Sequence, residues 1–161
     1  MELKIAFLHG LESSPISDKT AFLHKNFSSV YAPAIDYHNN PNAFSEILNH
    51  LKEHPVDLLI GSSMGGWFAY SLSTILGTPT LLFNPAFHSR PIEPTVTSGD
   101  IQIHHKLVLG INDKVIREAD TVEYLHNNNI NSLVFFENIG HRTPINIFEK
   151  YVNKIVNNFV K

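Results

Sequence analysis

The chain has 161 residues, 43% of them hydrophobic and 17% charged, with a net charge of -3 and no cysteine. That composition is ordinary for one globular domain with a sizeable core, expected here over 1–161. It leaves no cysteine for a disulfide framework or a thiol nucleophile and no basic run for nucleic acid, and no segment approaches the ~20 apolar residues of a membrane span.

In chain order, strand signals fall near 3–8, 28–31, 56–61, 79–83, 104–110 and 131–136, with helical segments between them. This alternation reads as a parallel sheet with helices on both faces. The first apolar stretch is short and feeds straight into the first strand, so its removal as a signal peptide would destroy the domain, and a cytoplasmic enzyme is the expectation. Phe44, Ile47, Leu48 and Leu51 recur at helical spacing. Trp67, Phe68, Ala69, Leu72, Ile75 and Leu76 make a helix apolar nearly all round, which predicts a buried central helix stopped at Gly77. Asn84-Pro85-Ala86 reads as a strand-ending turn. Residues 87–103, with Arg90, Pro91, Pro94 and Gly99, lack strong periodicity and predict a loop or small helix. One apolar stripe runs from Ile147 through Phe148, Tyr151, Val152, Ile155 and Val156 to Phe159, and Thr143-Pro144 offers a cap and a first-turn proline for that helix. Phe87 and Tyr37 read as exposed aromatics.

Between the third strand and the buried helix lies Gly61-Ser62-Ser63-Met64-Gly65-Gly66, a G-x-S-x-G turn. Such a turn is so sharp that side chains two residues either side of the serine collide, and Gly61 and Gly65 remove those clashes. Centring the pattern on Ser62 would put Ile60 and Met64 where glycines are needed, so Ser63 is the candidate nucleophile. A serine hydroxyl needs a base to take its proton, and the base needs an orienting group. Asp113 follows the strand Lys106 to Gly110, and His141 follows the strand Leu133 to Phe136. Both should stand on the same sheet edge as Ser63, where open α/β sheets place their ligand sites. The N-H of Met64, directly after the serine, is the first candidate oxyanion donor.

Of ten histidines, His104 and His105 are adjacent on a strand and should point to opposite faces, unable to share an ion. His24, His38, His50, His54 and His126 read as surface residues. No metal motif accompanies them.

The chain resembles the α/β-hydrolase superfamily and, within it, the small lidless bacterial YqiA-like esterase group. The resemblance rests on Leu8-His9-Gly10, Ser13-Ser14-Pro15, the Gly61 to Gly66 elbow, Asn84-Pro85-Ala86 and Gly140-His141, which together span nearly the whole chain. It implies a three-layer α/β/α sandwich, a minimal α/β-hydrolase fold of about six parallel strands in the order 2-1-3-4-5-6, with no large lid and an open site. It also implies a serine hydrolase that cleaves small-molecule esters or thioesters without metal or organic cofactor. His9-Gly10 is similar to the HG element of many hydrolases, which makes the Leu11 N-H the second oxyanion donor and His9 a loop brace. Ser13 and Ser14 either line the mouth of the site or cap the next helix. Leu11, Met64, Ile139 and the 87–103 loop suggest a modest apolar surface for short to medium acyl groups. An acyltransferase with the same triad, or a ligand-binding protein in which Ser63 only orders its ligand, are the alternatives. Oligomeric state is not legible.

Overall fold

The computed structural model describes residues 2–88 and 101–159. Among the described residues, six strands, β1 (Lys4–Leu8), β2 (Ser29–Tyr31), β3 (Leu58–Ser62), β4 (Thr80–Phe83), β5 (His105–Gly110) and β6 (Ser132–Glu137), are accompanied by five helices. The helices are α1 (Asp18–Asn26), α2 (Ala43–Glu53), α3 (Met64–Leu76), α4 (Glu118–Asn127) and α5 (Ile145–Phe159). All strand pairs are parallel, in the order β2-β1-β3-β4-β5-β6. Fold class and strand order are as expected from the sequence. Most of the segment expected to follow β4 as a loop or small helix, residues 89–100, lies outside the described residues.

Because successive side chains of a strand point to opposite faces, the central strands are apolar throughout and supply two cores. On one face Ala6, Leu8, Leu59, Leu82, Leu107 and Leu109 pack with Phe44 and Leu48 of α2, Trp67 and Leu72 of α3, and Leu125 of α4. On the other, Ile5, Phe7, Leu58, Ile60, Phe83 and Val108 pack with Leu23 of α1 and Phe148, Tyr151 and Val152 of α5. Three layers result. The central helix α3 buries ten of its thirteen residues and ends at Gly77, whose φ of 74° terminates it in the left-handed conformation.

Three local expectations are corrected. Phe87 and Tyr37 are buried, at 0% and 4% exposure, because Phe87 packs among Trp67, Tyr70 and Tyr124 while Tyr37 packs against Phe68 and His9. The cap of α1 is Ser17, in a reciprocal capping box with Thr20, and Ser14 instead bonds the backbone of Ile16. Thr143 caps nothing: its hydroxyl is buried without a hydrogen-bond partner among the described residues, while the Pro144 carbonyl accepts from Ile147 and Phe148 as α5 begins.

His104 is exposed and bonds Asn131, whereas His105 turns inward to Thr80 Oγ1 at 2.9 Å and packs on the Tyr70 ring. Burial, aided by the nearby His104 and Lys106, pulls the His105 imidazole down to about 4. The unfolded chain therefore binds a proton that the folded chain refuses, so this contribution is fully present above pH ~6.5 and is lost as pH falls towards about 4. Up to ~3 kcal/mol is at stake. Urea unfolding at pH 7.5 and 4.5 should show a smaller acid loss in His105→Gln than in the unsubstituted chain; equal losses would assign the effect to other groups.

Candidate active site

Strand register brings the site together at the C-terminal edge of the sheet. Leu8 pairs with Gly61, Ser62 with Phe83, and Gly110 with Glu137, so the loops after β1, β3, β4, β5 and β6 emerge side by side. Ser63 stands between β3 and α3 with φ 53° and ψ -116°. A non-glycine residue held in this region is strained, and such strain persists only where the surroundings enforce it. Here Ser63 N-H donates to the Phe83 carbonyl, and its own carbonyl accepts from Gly66, Trp67 and Ala86.

The elbow glycines have a direct steric reason. A Cβ on Gly61 would sit 2.3 Å from the Gly65 carbonyl oxygen, and one on Gly65 would sit 2.0 Å from that of Leu8 and 2.5 Å from that of His9. Gly66 is constrained less tightly, since its Cβ would lie 2.9 Å from Pro85 Cβ. The helix can thus start directly against the end of β1.

Ser63, His141 and Asp113 form one relay. Ser63 Oγ donates to His141 Nε2 at 3.0 Å, and His141 Nδ1 donates to Asp113 Oδ2 at 2.7 Å. The Asp113 carboxylate is fully buried and the imidazole about a quarter exposed. The other carboxylate oxygen accepts from the N-H groups of Val115 and Ile116, both at 2.8 Å, which leaves Oδ2 directed at the imidazole. That bond fixes the tautomer, with Nδ1 protonated and Nε2 free to accept the serine proton.

The loop after β1 is braced from behind. The buried His9 donates from Nδ1 to the Gly10 carbonyl at 2.7 Å and accepts at Nε2 from the Ile35 N-H at 2.9 Å. Tyr37 donates to the His9 carbonyl at 2.6 Å. Burial holds the His9 imidazole below its ordinary value, with the Gly10 carbonyl acting in the opposite direction, so the ring serves as a neutral bridge between two loops. Gly10 lies beside Ser63, where an added Cβ would come within 3.4 Å of the serine Cβ. Leu11 is half-buried and Ser13 exposed, with the Ser13 N-H donating to the Gly10 carbonyl. Met64 opens α3, where its N-H has no acceptor within the helix, while its side chain is buried in the core rather than at the surface. Ile139 is half-buried, and its carbonyl accepts from the Asn112 N-H.

Asn84 does more than end a strand, the role its sequence pattern suggests: it is buried, adopts φ 42°, and bonds the backbone of Gly110, Gly140 and His141 through its side chain. The available signal was an asparagine directly after a buried strand, a residue type that tolerates the left-handed region.

Solved structures share this architecture. Alpha/beta hydrolase domain-containing protein 10 from mouse aligns at a TM-score of 0.72 and 12% identity, covering 99% of this chain and 91% of that one. MGS-MChE2, an alpha/beta hydrolase enzyme from the metagenome of sediments from the lagoon of Mar Chica, Morocco, aligns at 0.70 and 15% identity, covering 99% and 90%. The esterase domain of a Rhodothermus marinus protein aligns at 0.67 and 11% identity, covering 98% and 85%. At such identities the likeness establishes the fold, that of the α/β hydrolases. The model of the uncharacterised protein family UPF0227 matches residues 4–107, and with β1, the braced HG loop, the serine elbow and the Asn84 turn all inside that span, the chain belongs to this YqiA-like family.

Proposed function

We propose that the chain is a serine hydrolase that cleaves carboxylic esters or thioesters of small acyl groups through an acyl-enzyme intermediate. One observation carries this reading: a strained elbow serine whose hydroxyl donates to an imidazole held in the matching tautomer by a buried carboxylate. A hydrogen-bonded nucleophile, base and orienting group are the parts acyl transfer needs. The esterase and hydrolase names carried by structural neighbours agree with it.

In this mechanism His141 Nε2 takes the Ser63 proton as Oγ attacks the acyl carbonyl, and Asp113 stabilises the imidazolium that forms. Negative charge gathers on the former carbonyl oxygen, where the N-H groups of Met64 and Leu11 are its donors. As the tetrahedral species collapses, the C–O or C–S bond breaks and His141 returns the proton to the leaving alcohol or thiol. Water, deprotonated by the same imidazole, then attacks the acyl-Ser63 ester and releases the acid. No step calls for a metal or organic cofactor. Leu11 and Ile139 are half-buried beside these loops, and such limited apolar surface suits short acyl chains.

The decisive experiment is fluorophosphonate labelling of the folded chain with peptide mapping, alongside turnover of short p-nitrophenyl esters. Covalent modification at Ser63 together with turnover is the expected result. A folded chain that neither labels nor turns over would leave Ser63 as a scaffold feature that orders a ligand.

A further inference from the structure

In strand order, three inter-strand spacings, about 14 Å, separate β6 from β3. His141, carried by the loop after β6, must therefore reach back over the ends of β5 and β4 to meet Ser63. Two features permit this. Gly110 ends β5 without a side chain, and a Cβ there would lie 2.5 Å from the Ile139 carbonyl oxygen and 2.8 Å from that of Gly140, so the loop lies directly across the backbone. Asn84, at the end of β4, catches it on the far side.

The Asn84 amide makes three hydrogen bonds. Its Oδ1 accepts from the Gly110 N-H at 2.7 Å, and its Nδ2 donates to the carbonyls of Gly140 at 3.3 Å and His141 at 3.0 Å. One donor and two acceptors around the amide fix which end is oxygen. The Asn84 backbone N-H donates to the Val108 carbonyl, and two residues on, the Ala86 N-H donates to the Ser63 carbonyl. The same short turn thus grips the elbow, the strand that leads to Asp113 and the loop that bears His141. Its left-handed φ of 42° admits few residue types, and aspartate, the nearest in shape, would place a carboxylate oxygen against two carbonyls.

We propose that Asn84 is a positioning residue that sets the reach of the His141 loop over β5 and so the alignment of the imidazole between Ser63 and Asp113. Its kinetic consequence rests on the serine-hydrolase reading; the placement of His141 does not. Asn84→Gly keeps the backbone conformation and removes all three side-chain bonds, and Asn84→Asp keeps only the acceptor for Gly110. Misplacement of a catalytic group by about 1 Å costs up to ~100-fold. Both variants should therefore lower kcat on p-nitrophenyl acetate by ~10- to 100-fold while KM stays within about twofold.

The independent readout is the proton on His141 Nδ1, whose bond to Asp113 places its resonance far downfield in the NMR spectrum. It should be sharp in the unsubstituted chain and shifted or lost in both variants. Folded variants that retain both kcat and this resonance would overturn the proposal. If the unsubstituted chain hydrolyses no ester and the resonance still moves in Asn84→Gly, Asn84 keeps its role and the hydrolase reading fails. Should neither variant fold, hydrogen exchange of the Asn84 side-chain amide in the unsubstituted chain decides: slow exchange supports the three-bond arrangement, and exchange at the rate of a free amide refutes it.

Discussion

Ser63→Ala should abolish ester turnover, with a loss of ~10^4- to 10^6-fold in kcat and little change in folding stability. The Ser63 hydroxyl has one hydrogen-bond partner among the described residues, His141 Nε2 at 3.0 Å, so its removal takes the nucleophile and leaves the elbow's backbone bonds in place. His141→Ala should lose a similar factor. The double variant should lose hardly more than either alone, because nucleophile and base act as one unit. Asp113→Asn tests the orienting role: an amide nitrogen directed at Nδ1 would favour the tautomer with Nε2 protonated, which cannot accept the serine proton, and a loss of ~10^4-fold is expected. Steady-state kinetics on p-nitrophenyl acetate, with circular dichroism to verify folding, check all four variants. Turnover that survives Ser63→Ala would remove the acyl-enzyme mechanism.

Gly65→Ala should be among the most damaging single-methyl additions in the chain. The new Cβ would sit 2.0 Å from the Leu8 carbonyl oxygen and 2.5 Å from that of His9, and both obstacles are backbone, which cannot swing away as a flexible side chain can. Either α3 shifts off the end of β1 or the HG loop moves. Each route breaks packing around Ser63, and destabilisation beyond ~4 kcal/mol is expected, in the range reserved for strain at a special backbone position. Urea titration measures it. If the variant folds, its catalytic loss should exceed what residual unfolding explains, because the displaced loop carries the Leu11 N-H proposed as the second oxyanion donor. A Gly65→Ala chain of unchanged stability would mean that the elbow does not close against β1 as described.

What could be read in advance was what neighbours in sequence decide. Strand positions came within two residues at each end because Leu58 to Ile60, Leu81 to Phe83 and Leu107 to Leu109 are short apolar runs between turn residues, a pattern that local backbone geometry converts directly into buried strands. The elbow was legible for a similar reason: two glycines at fixed offsets from a serine mark a local clash. Tyr37 and Phe87 were misjudged because their burial depends on partners elsewhere, chiefly Phe68 and His9 for one and Trp67 and Tyr124 for the other. Capping by Ser13 or Ser14, one of the two roles open to them in the sequence, is excluded by Ser17, since all three suit a cap and the reciprocal bond with Thr20 selects among them.

By itself, then, the order of residues determined a parallel α/β architecture, the serine at its elbow, and the acid and histidine after later strands, because each is written in local spacing. The tertiary structure alone decided the 3.0 Å and 2.7 Å bonds that join those groups, the neutral His9 bridge and the grip of Asn84 on the loop of His141. Those bonds connect residues 26 to 78 positions apart. Only the stacking of strands at ~4.8 Å intervals brings such distant positions within the reach of a hydrogen bond.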